Sequence, residues 1–164
     1  MSMPLLQRRR AARIRDERAG TTIVETAFVL PVFLIFVLGI VELGNALMVQ
    51  NTLRSACRAG ARYGSTEGRS TAEVKDRIEE IMAASVDVAN LSLFIKDADT
   101  LDTPQPQSPS GTQIEALPDI ELGDTDVSRL FVVRGTVGYN ELAIIPMTFM
   151  EGVTLSTQIF MRHE

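Results

Sequence analysis

The sequence predicts an α+β protein: a long N-terminal transmembrane helix continuing into a small domain with a second helix and a short antiparallel sheet. Three observations carry that expectation. Ala27–Val41 is uncharged, and the wider stretch Ile23–Val49 is apolar apart from Glu25, Thr26, Glu42 and Asn45. Residues 70–88 carry apolar side chains at helical spacing. Residues 91–97, 127–139 and 153–162 are β-branched and roughly alternating, as half-buried strands are.

The apolar run comes first. A bilayer core needs about 20 apolar residues of helix, and Ile23–Val49 qualifies if Glu25 and Glu42 lie near its two ends, within reach of headgroups and water. Pro31 falls inside it and removes one backbone hydrogen bond, so a packing kink is expected there. No small-x-small site with a polar follow-on closes the run, which argues against an ordinary secretory signal cleaved at that end. A helix from Thr21 to Tyr63 would be roughly 65 Å long at 1.5 Å per residue, with its last third beyond the bilayer, and Gly64–Gly68 would end it. The organisation expected is a basic leader over 1–20, a transmembrane helix over 21–49, a helical extension over 50–66 and an α+β domain over 67–164.

In that domain Ser70 and Glu73 have capping-box spacing and open a helix expected to run to about Val88, with Val74, Ile78, Ile81 and Met82 on its apolar face. Residues 99–112 are rich in Pro, Ser and Asp and are expected to form a mobile loop. The sheet should have three or four strands, closed by the 127–139 and 153–162 pair. Between that pair lies "ELAIIPMTFM", for which packing on a sheet face is expected, an exposed interaction patch being the other reading.

Charge is segregated. Residues 1–20 hold six arginines against Asp16 and Glu17, a net of +4, whereas residues 63–164 hold seven Lys/Arg against seventeen Asp/Glu, a net of −10. A basic head and an acidic body imply two environments. Six basic residues precede the run and four (Arg54, Arg58, Arg62, Arg69) closely follow it, so the positive-inside rule favours a cytoplasmic N-terminus and an extracytoplasmic body. The acidic body argues against nucleic acid as a partner, and the Arg8–Arg10 cluster is explained by topology and anionic lipid. One cysteine, Cys57, precludes an intramolecular disulfide, and one histidine, His163, leaves no metal-ligand spacing, so neither metal nor cofactor is expected. No phosphate loop follows a strand and no nucleophile–base spacing stands out, so no enzyme is expected and no catalytic residue is assigned.

Arg54, Arg58 and Arg62 recur every four residues and form one stripe on a helix, with Ala56, Ala59, Gly60 and Ala61 as a small-residue face between them. Two readings stand: pairing with carboxylates of the acidic body or of a partner, or contact with headgroups and solvent. Glu42 most simply marks the far boundary of the run, facing headgroups and water, an arginine of a partner being the other reading.

The pattern resembles a known family. A basic leader ending in Gly20, followed by "TTIVE" and the apolar helix, is similar to the class III signal of type IV pilins and pseudopilins. Val24–Glu25, Val29–Leu30–Pro31, Gly39–Ile40–Val41–Glu42 and Cys57–Arg58–Ala59–Gly60–Ala61–Arg62–Tyr63 occur in the order seen in the TadE-like family, minor pseudopilins of tight-adherence (Flp) pilus systems. Thr26, where Flp major pilins have an aromatic, argues against the major subunit, as does length. The resemblance implies cutting between Gly20 and Thr21 by a prepilin peptidase, and a subunit-assembly role for Glu25 through pairing with a mature α-amino group. Snorkelling of Glu25 to the interface is the alternative. It further implies location in the bacterial cytoplasmic (inner) membrane, an interaction stripe of Arg54, Arg58, Arg62 and Tyr63, and other pilins, the Tad assembly platform and membrane lipid as partners. A different class of function, an uncleaved single-pass protein whose outer domain binds a ligand or envelope polymer, remains open on the sequence.

Overall fold

The computed structural model describes residues 5–102, 109–145 and 150–164, with side chains described from Thr21 onward. Six elements follow in order: α1 (Leu5–Gly64), α2 (Thr71–Met82), β1 (Leu91–Asp97), α3 (Gly111–Glu115), β2 (Leu130–Gly138) and β3 (Thr154–Arg162). The chain divides into two compact units, Met1–Val41 and Glu42–Glu164.

The described part of the first unit, from Leu5, is helix. From Ile23 to Val41 its apolar side chains, among them Phe28, Phe33 and Phe36, are exposed apart from the half-buried Val37, as expected of a segment whose solvent is not water. Pro31 lies inside the helix, and Thr26 donates its hydroxyl to the Thr22 carbonyl at 2.8 Å, so that its polar group is satisfied within the helix.

The second unit is an α+β domain built on the remainder of α1. β2 is the central strand, antiparallel to β1 and β3, with Ile95 opposite Val133 and Val133 opposite Ile159. One sheet face, with Phe131, Val133 and Val137, packs with Leu53, Cys57 and Ala61 of α1 and Val74, Ile78 and Met82 of α2. The other face is covered where Val132 meets Ile114 of α3 and Ala98. Small residues set these approaches: a Cβ at Gly135 would come within 2.8 Å of Cys57 Sγ and 2.9 Å of Leu53 Cδ1, and one at Gly64 within 2.8 Å of both Val74 and Leu122. The small-residue face of α1 is therefore where α2 and the sheet seat. Gly68, at φ +78°, turns the chain from α1 into α2.

Three expectations need correction. α2 ends at Met82, not near Val88: Ala83 caps it, and the Asp87 side chain accepts from Ala89 N to start a separate 3-10 turn, a local bond that competes with helix continuation. The 99–112 stretch is not one loop, because Asp99–Leu101 forms a 3-10 turn and α3 begins at Gly111, capped reciprocally by Ser110 and Gln113; residues 103–108 lie outside the described residues. The "ELAIIPMTFM" segment divides. Leu142, Ala143 and Met150 pack beside Ala46, Tyr139 and Leu155, whereas Ile144 and Ile145 are exposed, and residues 146–149 lie outside the described residues.

Candidate functional site

Glu42 immediately follows the uncharged run, yet it does not face water. It is 3% exposed, and its carboxylate accepts three hydrogen bonds: from Tyr139 Oη at 3.0 Å, Ile144 N at 3.1 Å and Ile145 N at 3.3 Å. One turn along, Asn45 Nδ2 donates to the Leu142 carbonyl at 2.9 Å. The boundary reading of Glu42 is overturned. A 3-10 turn at Tyr139–Glu141 carries the chain off β2 back to α1 and leaves the amides of Ile144 and Ile145 without strand partners, and a carboxylate is the acceptor that can satisfy both with a hydroxyl besides. Burial pushes the Tyr139 phenol above its ordinary value, and the hydrogen bond to Glu42 and that residue's negative charge push the same way. We call this arrangement the Glu42 clasp. The sequence signalled only its helix half, a carboxylate ending an apolar run.

The residues singled out from the sequence do not converge on one pocket. Gly20 and Thr21 lie within α1, and Glu25 is exposed on it, all in the first unit. Arg54, Arg58 and Arg62 are exposed on α1 in the second unit, opposite the buried Leu53, Ala56, Cys57 and Ala61. Among the described residues none of the three makes an ion pair within the chain, so the stripe is presented outward and not docked on the acidic body. Tyr63 is half-buried and takes the Arg69 guanidinium over its ring, 4.6 Å from the centroid. Arg54 also lines an open polar groove of about 420 Å³ with Gln50, Arg134, Ser156 and Gln158, in which Arg134 is paired with Glu115 at 3.1 Å and Gln50 donates to the Ser156 carbonyl.

Two chemistry-bearing side chains are buried away from these features. Cys57 is a free thiol with no exposed surface, packed against β2. His163 is 3% exposed, and neither ring nitrogen has a hydrogen-bond partner among the described residues. Among the described residues no group of three His, Cys, Asp or Glu could hold a metal ion.

The helix that supplies Glu25, Glu42 and the arginine stripe is long and apolar enough to cross a membrane over part of Thr21–Gly64. Its sequence decides the comparison. Residues 20–62 match the family described as TadE-like protein. The TadE-like segment starts at Gly20, contains Glu25, Glu42, Arg54, Arg58 and Arg62, and stops one residue before Tyr63. Neither the curated proteins nor the solved structures give a match. The TadE-like segment and the apolar helix together support a Tad-associated membrane protein, and a single-pass arrangement is compatible with that helix.

Proposed function

We propose that this chain is a TadE-like minor pseudopilin, held in the bacterial cytoplasmic membrane by α1 with its C-terminal domain outside, which primes or supports assembly of a Flp/Tad pilus used in adherence. A prepilin peptidase cuts it between Gly20 and Thr21. The observation that carries this reading is that the TadE-like match begins at Gly20, the last residue of the basic leader, and runs through the whole apolar helix. In the mature protein Glu25 meets an α-amino group, its own or a neighbouring subunit's, because a carboxylate at the lipid edge is strongly stabilised by a paired cation and costly without one. The exposed arginine stripe then faces sister pseudopilins or the assembly platform, where guanidinium groups bind carboxylates in pairs. The role is structural and needs no cofactor.

The test is the mature N-terminus, read by mass spectrometry of membrane-extracted protein with and without a co-expressed prepilin peptidase. A chain starting at Thr21 only when the peptidase is present is the expected result, with loss of cutting in Gly20→Leu. A chain retaining its leader under both conditions refutes the pseudopilin reading and moves the function to the outer domain as an uncleaved, ligand-binding module.

A further inference from the structure

The Glu42 clasp holds more than a loop. Val41 ends the uncharged run and Glu42 is the next residue of the same helix, so any group hydrogen-bonded to the Glu42 carboxylate is fixed at the level where that run stops. The groups so fixed are the backbone amides of Ile144 and Ile145, at 3.1 and 3.3 Å. A second bond, Asn45 Nδ2 to the Leu142 carbonyl, holds the same segment one turn along, and Leu142 and Ala143 pack beside Ala46, Tyr139 and Leu155. The backbone is thus fastened at both ends of the Leu142–Ile145 stretch. The side chains it presents are not covered: Ile144 is 64% exposed and Ile145 39%. On the helix beside this level Leu43, Leu47 and Met48 are exposed as well. At 1.5 Å per residue Leu43 lies about 3 Å beyond the end of the run, within an interfacial zone about 5–8 Å deep, and Leu47 and Met48 lie near its outer edge.

We propose that the Ile144–Ile145 tip is a second lipid contact of this protein, seated in the headgroup and acyl boundary beside the point where α1 leaves the membrane. The occupant is the bilayer because the tip is fastened to Glu42, the residue that follows the uncharged run in the chain, by backbone bonds that leave the isoleucine side chains free to enter lipid. Tyr139, whose hydroxyl binds Glu42 from within, keeps the carboxylate out of the apolar contact. Two attachments, one spanning and one interfacial, restrain the outer domain from turning about the helix axis, which sets the direction in which the arginine stripe faces. This inference rests on α1 crossing a bilayer, as in the function proposed above.

The chain contains no tryptophan, so a single introduced Trp reports its own surroundings. Three full-length variants, Ile144→Trp, Val127→Trp and Phe33→Trp, are reconstituted in phosphatidylcholine vesicles, and their emission is compared with and without lipids brominated near the headgroup or near the acyl terminus. Val127 is 66% exposed and lies beyond the opposite end of β2 from Tyr139, about 30 Å away along a nine-residue strand. Ile144→Trp keeps the backbone bond to Glu42; Ile145→Trp is the second variant, and protection of the buried Cys57 from a thiol reagent verifies that each is folded. The expected result is a blue-shifted Ile144→Trp that loses about half its emission to headgroup-side bromine, a Val127→Trp that loses none, and a Phe33→Trp quenched from the acyl terminus. Quenching of Phe33→Trp with Ile144→Trp and Ile145→Trp no more affected than Val127→Trp overturns the inference while leaving the spanning helix intact, and marks the tip as water-facing or protein-facing. Equal quenching at Val127 also overturns it, since the contact then has no tip. Absence of quenching at Phe33 overturns the spanning helix and the inference together.

Discussion

Glu42 is a buried carboxylate satisfied by two amides and a phenol, and among the described residues no cation is paired with it. Removing it strands three donors, and orphaned buried donors cost more than the bonds themselves are worth. Glu42→Ala is therefore expected to destabilise the domain by about 3 kcal/mol, and Tyr139→Phe, which removes one donor and leaves the carboxylate its two amides, by about 1 kcal/mol. Thermal unfolding of the full chain in detergent measures both. Amide exchange at Ile144 and Ile145 should accelerate far more in the alanine variant. The clasp also sets a pH limit. Burial first, then the hydrogen bond to Glu42 and its charge, raise the Tyr139 phenol above the ordinary value of 10.0. Because the folded value is the higher one, the stabilisation is complete below about pH 10 and is lost as pH rises from there through the folded value. Tyrosinate absorbance should show a late step, assigned to Tyr139, that coincides with unfolding. Tyr139→Phe should remove the late step and flatten the alkaline loss. Persistence of the late step in Tyr139→Phe would refute this assignment.

Elements meet here through small residues, and the α1–β2 crossing shows how tight that fit is. Cys57 and Leu53 of α1 lie against Gly135 of β2 so closely that an added Cβ would fall within 3.0 Å of both. Gly135→Ala is expected to cost about 2 kcal/mol by overpacking, although alanine suits a strand better than glycine does. Cys57→Ala alone should lose about 1 kcal/mol through the small void it leaves. The double variant should recover part of the sum, since the deleted sulfur vacates the space the new methyl needs, and a double-mutant cycle on thermal unfolding reads that coupling. The same elements show what a sequence reveals. The Ser70–Glu73 box, the apolar spacing of Val74, Ile78 and Met82, and the three alternating strands are local signals that the structure bears out, except that β2 starts at Leu130 and not at Val127, after Ser128 at φ +72°, and Tyr139 belongs to the following 3-10 turn. The early stop of α2 was missed because Asp87 prefers a cap to a helix interior, a competition that apolar spacing does not register. α3 was missed because five residues are too few for a period, although Ser110 and Gln113 carried the capping signal. Glu42 was misread for a different reason. Its partners stand 97 to 103 residues away, and only the return of the chain after β2 brings them to it. Among the described residues no ion pair within the chain marks the arginine stripe, whose expected role is an encounter with other molecules.

For the whole molecule, the question is which way it faces. A leader of net charge +4 and a body of net −10 lie on either side of one apolar helix, so the two orientations are not equivalent. Basic residues near the span weigh most, and there the margin is narrow: six arginines before the run against Arg54, Arg58, Arg62 and Arg69 after it. Of the second group α1 carries Arg54, Arg58 and Arg62, which face outward from the domain's packing surface and which no intrachain carboxylate neutralises among the described residues, whereas Arg69 lies past the helix end beside Glu73. Anionic lipid on the cytoplasmic leaflet attracts either group and repels the acidic body, so it favours the proposed orientation with the leader inside. Neutralising Arg8, Arg9 and Arg10 together would leave three basic residues before the run and four after it. In spheroplasts treated with external protease, the wild-type outer domain should be digested in essentially every chain. The Arg8→Gln, Arg9→Gln, Arg10→Gln variant should leave a protected fraction that arises from inverted chains. Adding Arg54→Gln and Arg58→Gln to that variant should restore digestion, because the margin again favours the leader. Full digestion of the triple variant would mean that the acidic domain, and not the arginine count, sets the orientation, and the leader's charge would then be free to serve the peptidase alone.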